Sequence, residues 1–130
     1  MRKQVISPPK IWNPTVFGFV HGFVVEEGKK LIFISGQNGI DVKGRVVSGG
    51  FDAQCSKTFE NLGIILAAAG ASPTNIVKLT AYVTDMKNAA AFVRISKKFF
   101  KGENCPQTLV EVSALALPDL IVEVEATAIL

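Results

Sequence analysis

Histidine and cysteine are scarce in this chain, with one His and two Cys among 130 residues. Cys55 and Cys105 stand far apart with no Cys-x-x-Cys spacing, which weighs against a zinc site and leaves a disulfide unneeded. Both thiols are read as inert. Long apolar runs are also missing. Apolar residues make up 48% and mean hydropathy is +0.34, yet stretches such as Ile64 to Ala69 and Leu120 to Val122 are far too short to span a bilayer. The surplus apolar surface is assigned to an interface between copies of the chain, and no membrane contact is expected. Met1-Arg2-Lys3 has the charge of a secretory leader, but Gln4, Ser7 and Lys10 interrupt the apolar region that a leader needs, which predicts a cytoplasmic protein.

Runs of one charge are absent too. The net charge is +3 with a pI near 9.0, and the cations are dispersed except for Lys97, Lys98 and Lys101, interleaved with Phe99 and Phe100. That cluster is the one nucleic-acid candidate, since aromatics beside cations can stack bases. The preferred reading is the last turn of an amphipathic helix, with Lys beside the carbonyl end of the dipole and the Phe pair turned inward. A nucleic-acid partner is therefore not expected. At this length, residues 1–130 are expected to form a single domain with one core.

Periodicity then sets the elements. Phe19 to Val25 and Leu31 to Ser35 are β-rich runs around Glu26-Glu27-Gly28-Lys29-Lys30, a hairpin turn. Glycines at 36, 39, 44, 49 and 50 mark a loop of about fifteen residues, long enough to be a pocket wall. Cys55, Phe59, Leu62 and Leu66 lie on one face of a helix from Asp52 to about Ala69, with Gly70 as its stop. Ile76 to Thr84 reads as a strand, and Asp85 as the cap of a second helix carrying Ala89, Phe92, Ile95 and Phe99. Gly102 and Pro106 end that helix before strands at Thr108 to Val112 and Leu120 to Ile129. The order ββαβαββ, with a further amino-terminal strand at Lys3 to Ile6, predicts an α+β fold: a mixed, mostly antiparallel sheet with two helices on one face. The second face would be uncovered, and self-association is the natural remedy.

Several segments together resemble the RidA/YjgF family, also called the endoribonuclease L-PSP family, from about Phe19 to Ala128. They are His21-Gly22-Phe23-Val24-Val25, Leu31-Ile32-Phe33-Ile34-Ser35-Gly36-Gln37, Phe51-Asp52-Ala53-Gln54 with Phe59-Glu60-Asn61-Leu62, Ala68-Ala69-Gly70-Ala71-Ser72, Tyr82-Val83-Thr84-Asp85-Met86 and Val122-Glu123-Val124-Glu125-Ala126. The resemblance implies a homotrimer of chorismate-mutase-like subunits with a small-molecule cleft between neighbours. It also implies cofactor-free hydrolysis of reactive 2-imino or enamine acids to keto acid and ammonia, with an Arg gripping the carboxylate and a Glu positioning water. A guanidinium fork matches a carboxylate, and addition of water to C=N needs an acceptor near the attacking oxygen.

By that resemblance, Glu123 matches the water-positioning Glu and Ser35 the cleft Ser, the two catalytic candidates. Among the ligand-binding candidates, Gln107 stands in Cys105-Pro106-Gln107-Thr108-Leu109-Val110 where the family has the Arg, and Leu109 where a Cys is frequent. Phe19 replaces a Tyr and Val93 a cleft Asn, while His21 lies near the expected cleft mouth. A neutral hydrogen bond contributes about 1 kcal/mol and charge-assisted ones roughly 1.5 to 3 each. Loss of the bidentate pair thus predicts carboxylate binding weaker by roughly ten- to a thousandfold. A larger or less charged ligand than a small imino acid is expected.

Without the resemblance, Glu123 would read as a solvated carboxylate on a strand face, and His21 as a hydrogen-bonded structural residue or a proton shuttle. Tyr82 reads as packing, its hydroxyl at a strand end. Three functions stay open: an imine or enamine deaminase, a non-catalytic metabolite-binding trimer, and an RNA-directed activity with little support in the sequence.

Overall fold

Alternation and helical periodicity produce the elements where expected. A computed structural model of the protein describes residues 2–15, 21–27 and 29–130. Strands β1 (Arg2–Ile6), β2 (Gly22–Glu27) and β3 (Lys29–Asn38) lead into α1 (Gly50–Ala68). β4 (Ile76–Val83), α2 (Ala89–Phe99), β5 (Gln107–Glu111) and β6 (Val122–Ile129) follow. The six strands form one sheet in the order β1-β2-β3-β6-β4-β5, antiparallel except for β4 against β5. That parallel pair is the crossover for which α2 is the connection.

Both helices cover one face. Val122, Val124, Ala126 and Ala128 of β6 lie under α1, and Leu79, Ala81 and Val83 of β4 are buried in the same core. α1 answers with Cys55, Phe59, Leu62, Ile65 and Leu66, all nearly excluded from solvent. Each such aliphatic side chain contributes about 1.5 to 3 kcal/mol. Phe92 and Ile95 join α2 to this core, and Phe99 rests on Phe59 at 4.9 Å between ring centroids. The Lys–Phe cluster is therefore the end of an amphipathic helix: Phe100 is buried while Lys97 and Lys98 are exposed. On the far face Phe33 is 45% exposed, and Lys78, Thr80, Tyr82, Glu125 and Thr127 share that side with no element over them among the described residues.

Three expectations shift. β3 runs to Asn38 instead of ending at Ser35, because Gln37 and Asn38 pair with Val124 and Glu123 beyond a bulge between Ile34 and Gln37. The glycine loop is correspondingly shorter, and an isolated bridge between Ile40 and Val46 closes it. Asp85 caps a single 3₁₀ turn, Met86–Asn88, by accepting from the Lys87 N–H at 2.9 Å, and α2 begins only at Ala89. No helix among the described residues is long and apolar enough to cross a membrane.

Candidate functional site

The bulge in β3 opens a cavity. Beyond it, the strand ends, the turn at 40–44, the 116–120 loop and Trp12-Asn13 surround a space of about 770 Å³. Ser35 and Gly36 of β3 and Glu123 of β6 line one side, and Ile40, Val42, Leu117 and Leu120 make much of the remainder apolar. Volume and lining are those of a ligand pocket: mostly apolar, with a few polar groups. A Cβ built on Gly36 would fall on the Glu123 carboxylate, so glycine alone lets that side chain lie across β3. The Gly of Ser-Gly-Gln thus has a steric reason.

Glu123 is half-buried, and desolvation pushes its carboxyl above the usual glutamate range, with the charge of Glu125 adding to the effect. A carboxylate held short of water is a stronger base than one on a solvated strand face. Glu125, two residues on, is exposed and accepts from Tyr82 Oη at 2.9 Å. The Tyr82 hydroxyl therefore bonds across the open sheet face, where a strand end was expected.

Buried amides on α1 hold the cavity walls. Gln54 donates to Asp119 O at 2.7 Å and accepts from the Ile121 N–H at 3.1 Å, fastening the loop before β6. Asn61 donates to Asn38 O at 3.1 Å and Ile40 O at 2.9 Å, fastening the other wall. Asp41 shapes the intervening turn by accepting from the Lys43 and Arg45 N–H groups at 2.9 and 3.0 Å. Backbone groups that a loop would leave unpaired are met by side chains from the helix.

His21 lies behind this cavity and does not line it. It is 2% exposed and both ring nitrogens are bonded: Nε2 to Trp12 O at 2.6 Å and Nδ1 to Gln37 Nε2 at 3.0 Å. Gln37 Nε2 also donates to Ser35 O at 3.1 Å, which identifies it as the amide nitrogen and makes His21 Nδ1 the acceptor. The proton then sits on Nε2, facing Trp12 O. His21 consequently ties the Trp12 wall to β3 as a hydrogen-bonded structural residue, and the ligand-contact and shuttle roles are corrected. Its ring meets the Trp12 ring edge-on at 5.7 Å.

The other candidates are spread out. Ser35 and Glu123 come together at the cavity, whereas Gln107, Leu109 and Val93 are absent from its lining within one chain. Gln107 is exposed at the start of β5, in register with Leu79, while Glu123 pairs with Tyr82 on the other side of β4. Two strand spacings and three residues of rise separate them by about 14 Å. Leu109 pairs with the buried Ala81 and is partly buried against the core. Val93 is 45% exposed on α2. Phe19 lies outside the described residues. Sequence reasoning missed Trp12, Gln37, Gln54 and Asn61; the last three sat inside quoted motifs, but nothing in the sequence marked Trp12.

Burial pushes the Cys55 thiol up to about 12, with Asp52 adding to it, and burial raises Cys105 as well. Neither is a ready nucleophile. Among the described residues no cluster of three His, Cys, Asp or Glu could hold a metal ion.

A half-desolvated carboxylate beside a mostly apolar cavity on an α+β layer is the kind of arrangement found at small-molecule sites. Residues 14–130 match the Endoribonuclease L-PSP family, and the chain belongs to that family, which is the RidA/YjgF family. It is 38% identical over 101 residues to the 2-iminobutanoate/2-iminopropanoate deaminase of Homo sapiens, covering 77% of this chain and 73% of that one. With the Rattus norvegicus protein of the same name the identity is 34% over 128 residues, covering 98% and 90%. The crystal structure of E. coli TdcF with bound serine superposes with a TM-score of 0.85 at 26% identity over 98% of both chains.

Proposed function

We propose that this protein is a hydrolytic deaminase of an imine or enamine, with Glu123 as the base that activates water. The observation that carries the reading is the Glu123 carboxylate, raised above its ordinary range by desolvation and laid over Gly36 at the cavity. A water oxygen adds to the C=N carbon as Glu123 takes its proton. That proton passes to nitrogen, and collapse of the tetrahedral carbinolamine expels ammonia and leaves the carbonyl. An enamine first takes a proton on carbon to become the imine. The relatives named as deaminases of 2-iminobutanoate and 2-iminopropanoate support this class of reaction.

The substrate differs from those small imino acids in this reading. Gln107 occupies the position of the family's carboxylate-binding Arg, and an amide replaces a guanidinium there. Because Gln107 is about 14 Å from Glu123 within one chain, it reaches the Glu123 cavity only from a neighbouring copy. The working form is accordingly a homotrimer with clefts between subunits, and the open sheet face bearing Phe33 is the surface that packing would cover. Val93 would line such a cleft from the neighbour.

The test is decay of imines generated in place by an amino-acid oxidase, with Glu123→Ala as control. A loss of about a hundredfold or more in the variant is expected, and equal decay would sink the reading. The bound serine of E. coli TdcF favours a second reading, a cleft that holds a metabolite without chemistry. Native mass spectrometry showing a retained ligand together with no imine turnover would select it. An RNA-directed activity is disfavoured because both nitrogens of the single His are already engaged.

A further inference from the structure

The cavity is lined by one charge of each sign, well separated in the chain. Glu123 is the one carboxylate among its described lining residues, and Lys43 is the one cation. Lys43 sits on the 40–44 turn, exposed, and among the described residues it makes no ion pair. Its neighbours explain why. The Asp41 carboxylate is occupied by Arg45 at 3.3 Å and by two backbone N–H groups, leaving the Lys43 ammonium without a local anion. The turn that presents Lys43 is held by Gly44 N–H to Asp41 O and Asp41 N–H to Arg45 O, at 2.9 and 2.8 Å. Lys43 is thus a cation at the rim of an apolar space, on a turn with its own internal bonding.

Between the two charges the walls are apolar and large. Ile40 and Leu120 are buried, Trp12 is partly so, and Val42 and Leu117 are 54% and 43% exposed in the same lining. Exposed side chains of this size facing one space lose contact with water only when something apolar fills it. A three-carbon imino acid would leave most of 770 Å³ to solvent.

We infer that the cavity takes an aromatic 2-imino acid or its keto acid, with the ring between Trp12, Val42 and Leu117 and the carboxylate at Lys43. This rests on the deaminase reading for the imine, while the shape and charge argument for an arylalkyl carboxylate does not. Lys43 takes over, as a point charge, the anion recognition that Gln107 cannot provide. Hydrolysis of such an imine consumes one water and releases the aryl keto acid and ammonia. The reaction that supplies it must be a two-electron oxidation of an aromatic amino acid, in which Cα gives up a hydride to an oxidised cofactor and nitrogen gives up a proton.

Trp12 is the single tryptophan of the chain, so its fluorescence reports this cavity. The unmodified protein is titrated with 3-phenylpropanoate, 3-phenylpropanamide and propanoate, by calorimetry and Trp12 emission in parallel. Phenylpropanoate is expected to bind at least tenfold more tightly than propanoate and to change Trp12 emission. Lys43→Met is expected to weaken phenylpropanoate about tenfold and leave the amide unchanged, and Lys43→Arg to retain the wild-type value. Equal affinity for phenylpropanoate and propanoate, an unchanged Trp12 signal, or indifference to Lys43→Met overturns the inference. Imine turnover by Glu123→Ala separates the two readings. If it persists while the binding pattern holds, the deaminase reading fails and the ligand class stands.

Discussion

The β3–β6 seam and the β5 edge treat polar side chains in opposite ways. At the seam a bulge, a glycine and two buried amides from α1 bring Ser35 and Glu123 to one cavity and strip water from the carboxylate. At the edge Gln107 is exposed, in a five-residue strand paired on one side only. Ordered contacts surround Glu123, and Gln107 has none of them. A site whose halves differ so much in order within one chain is the kind that a second copy completes.

The comparison is broken most directly at Gly36. A methyl there meets the far end of the flexible Glu123 side chain, which can swing away, so the fold should lose less than about 1 kcal/mol. Imine turnover by Gly36→Ala should nonetheless fall about a hundredfold, since the base is displaced. Turnover and Tm measured together check this, and a large loss of Tm with intact turnover would refute it. At the other end, Gln107→Arg should raise the affinity for a small 2-imino acid about tenfold or more. Inhibition by a small keto acid measures it, and no gain would mean that the β5 edge does not reach the cavity.

The smallest effect concerns pH. The proposed role of Glu123 as a base requires its ionised form and its pKa is raised, so activity should fall on acidification at a pH above that of an ordinary glutamate. Glu125→Gln removes the second cause of the shift and should move this acid limb toward lower pH. Stability follows the opposite sense. A raised folded-state pKa gives stability that is present below the unfolded value and lost as pH rises through the folded one. A limb unmoved in Glu125→Gln would show that the two carboxylates do not interact.

Much of the fold was legible because its signals are local. Val122, Val124 and Ala126 alternate with Glu123, Glu125 and Thr127, and that period of two alone assigns the buried face of β6. Cys55, Phe59, Leu62 and Leu66 do the same for α1 at helical spacing. The extension of β3 was not legible, since Gly36-Gln37-Asn38 has turn-like composition and pairs only because β6 lies alongside. His21 illustrates the limit for the site: its place near a motif left a proton shuttle and a structural residue both open, while its bonds to Trp12 and Gln37 depend on contacts far along the chain.

By itself the sequence determined the element order, the helix-covered face and the family, because hydrophobic periodicity and ordered motifs are properties of the chain read in line. Only the tertiary structure decided that His21 is bonded to Trp12 and Gln37, that Glu123 is desolvated over Gly36, and that Lys43 stands at a mostly apolar cavity with no ion pair among the described residues. Those outcomes depend on strand register and on which distant groups share a volume. Hydrogen bonding and desolvation act over a few ångströms in space, whatever the separation along the chain.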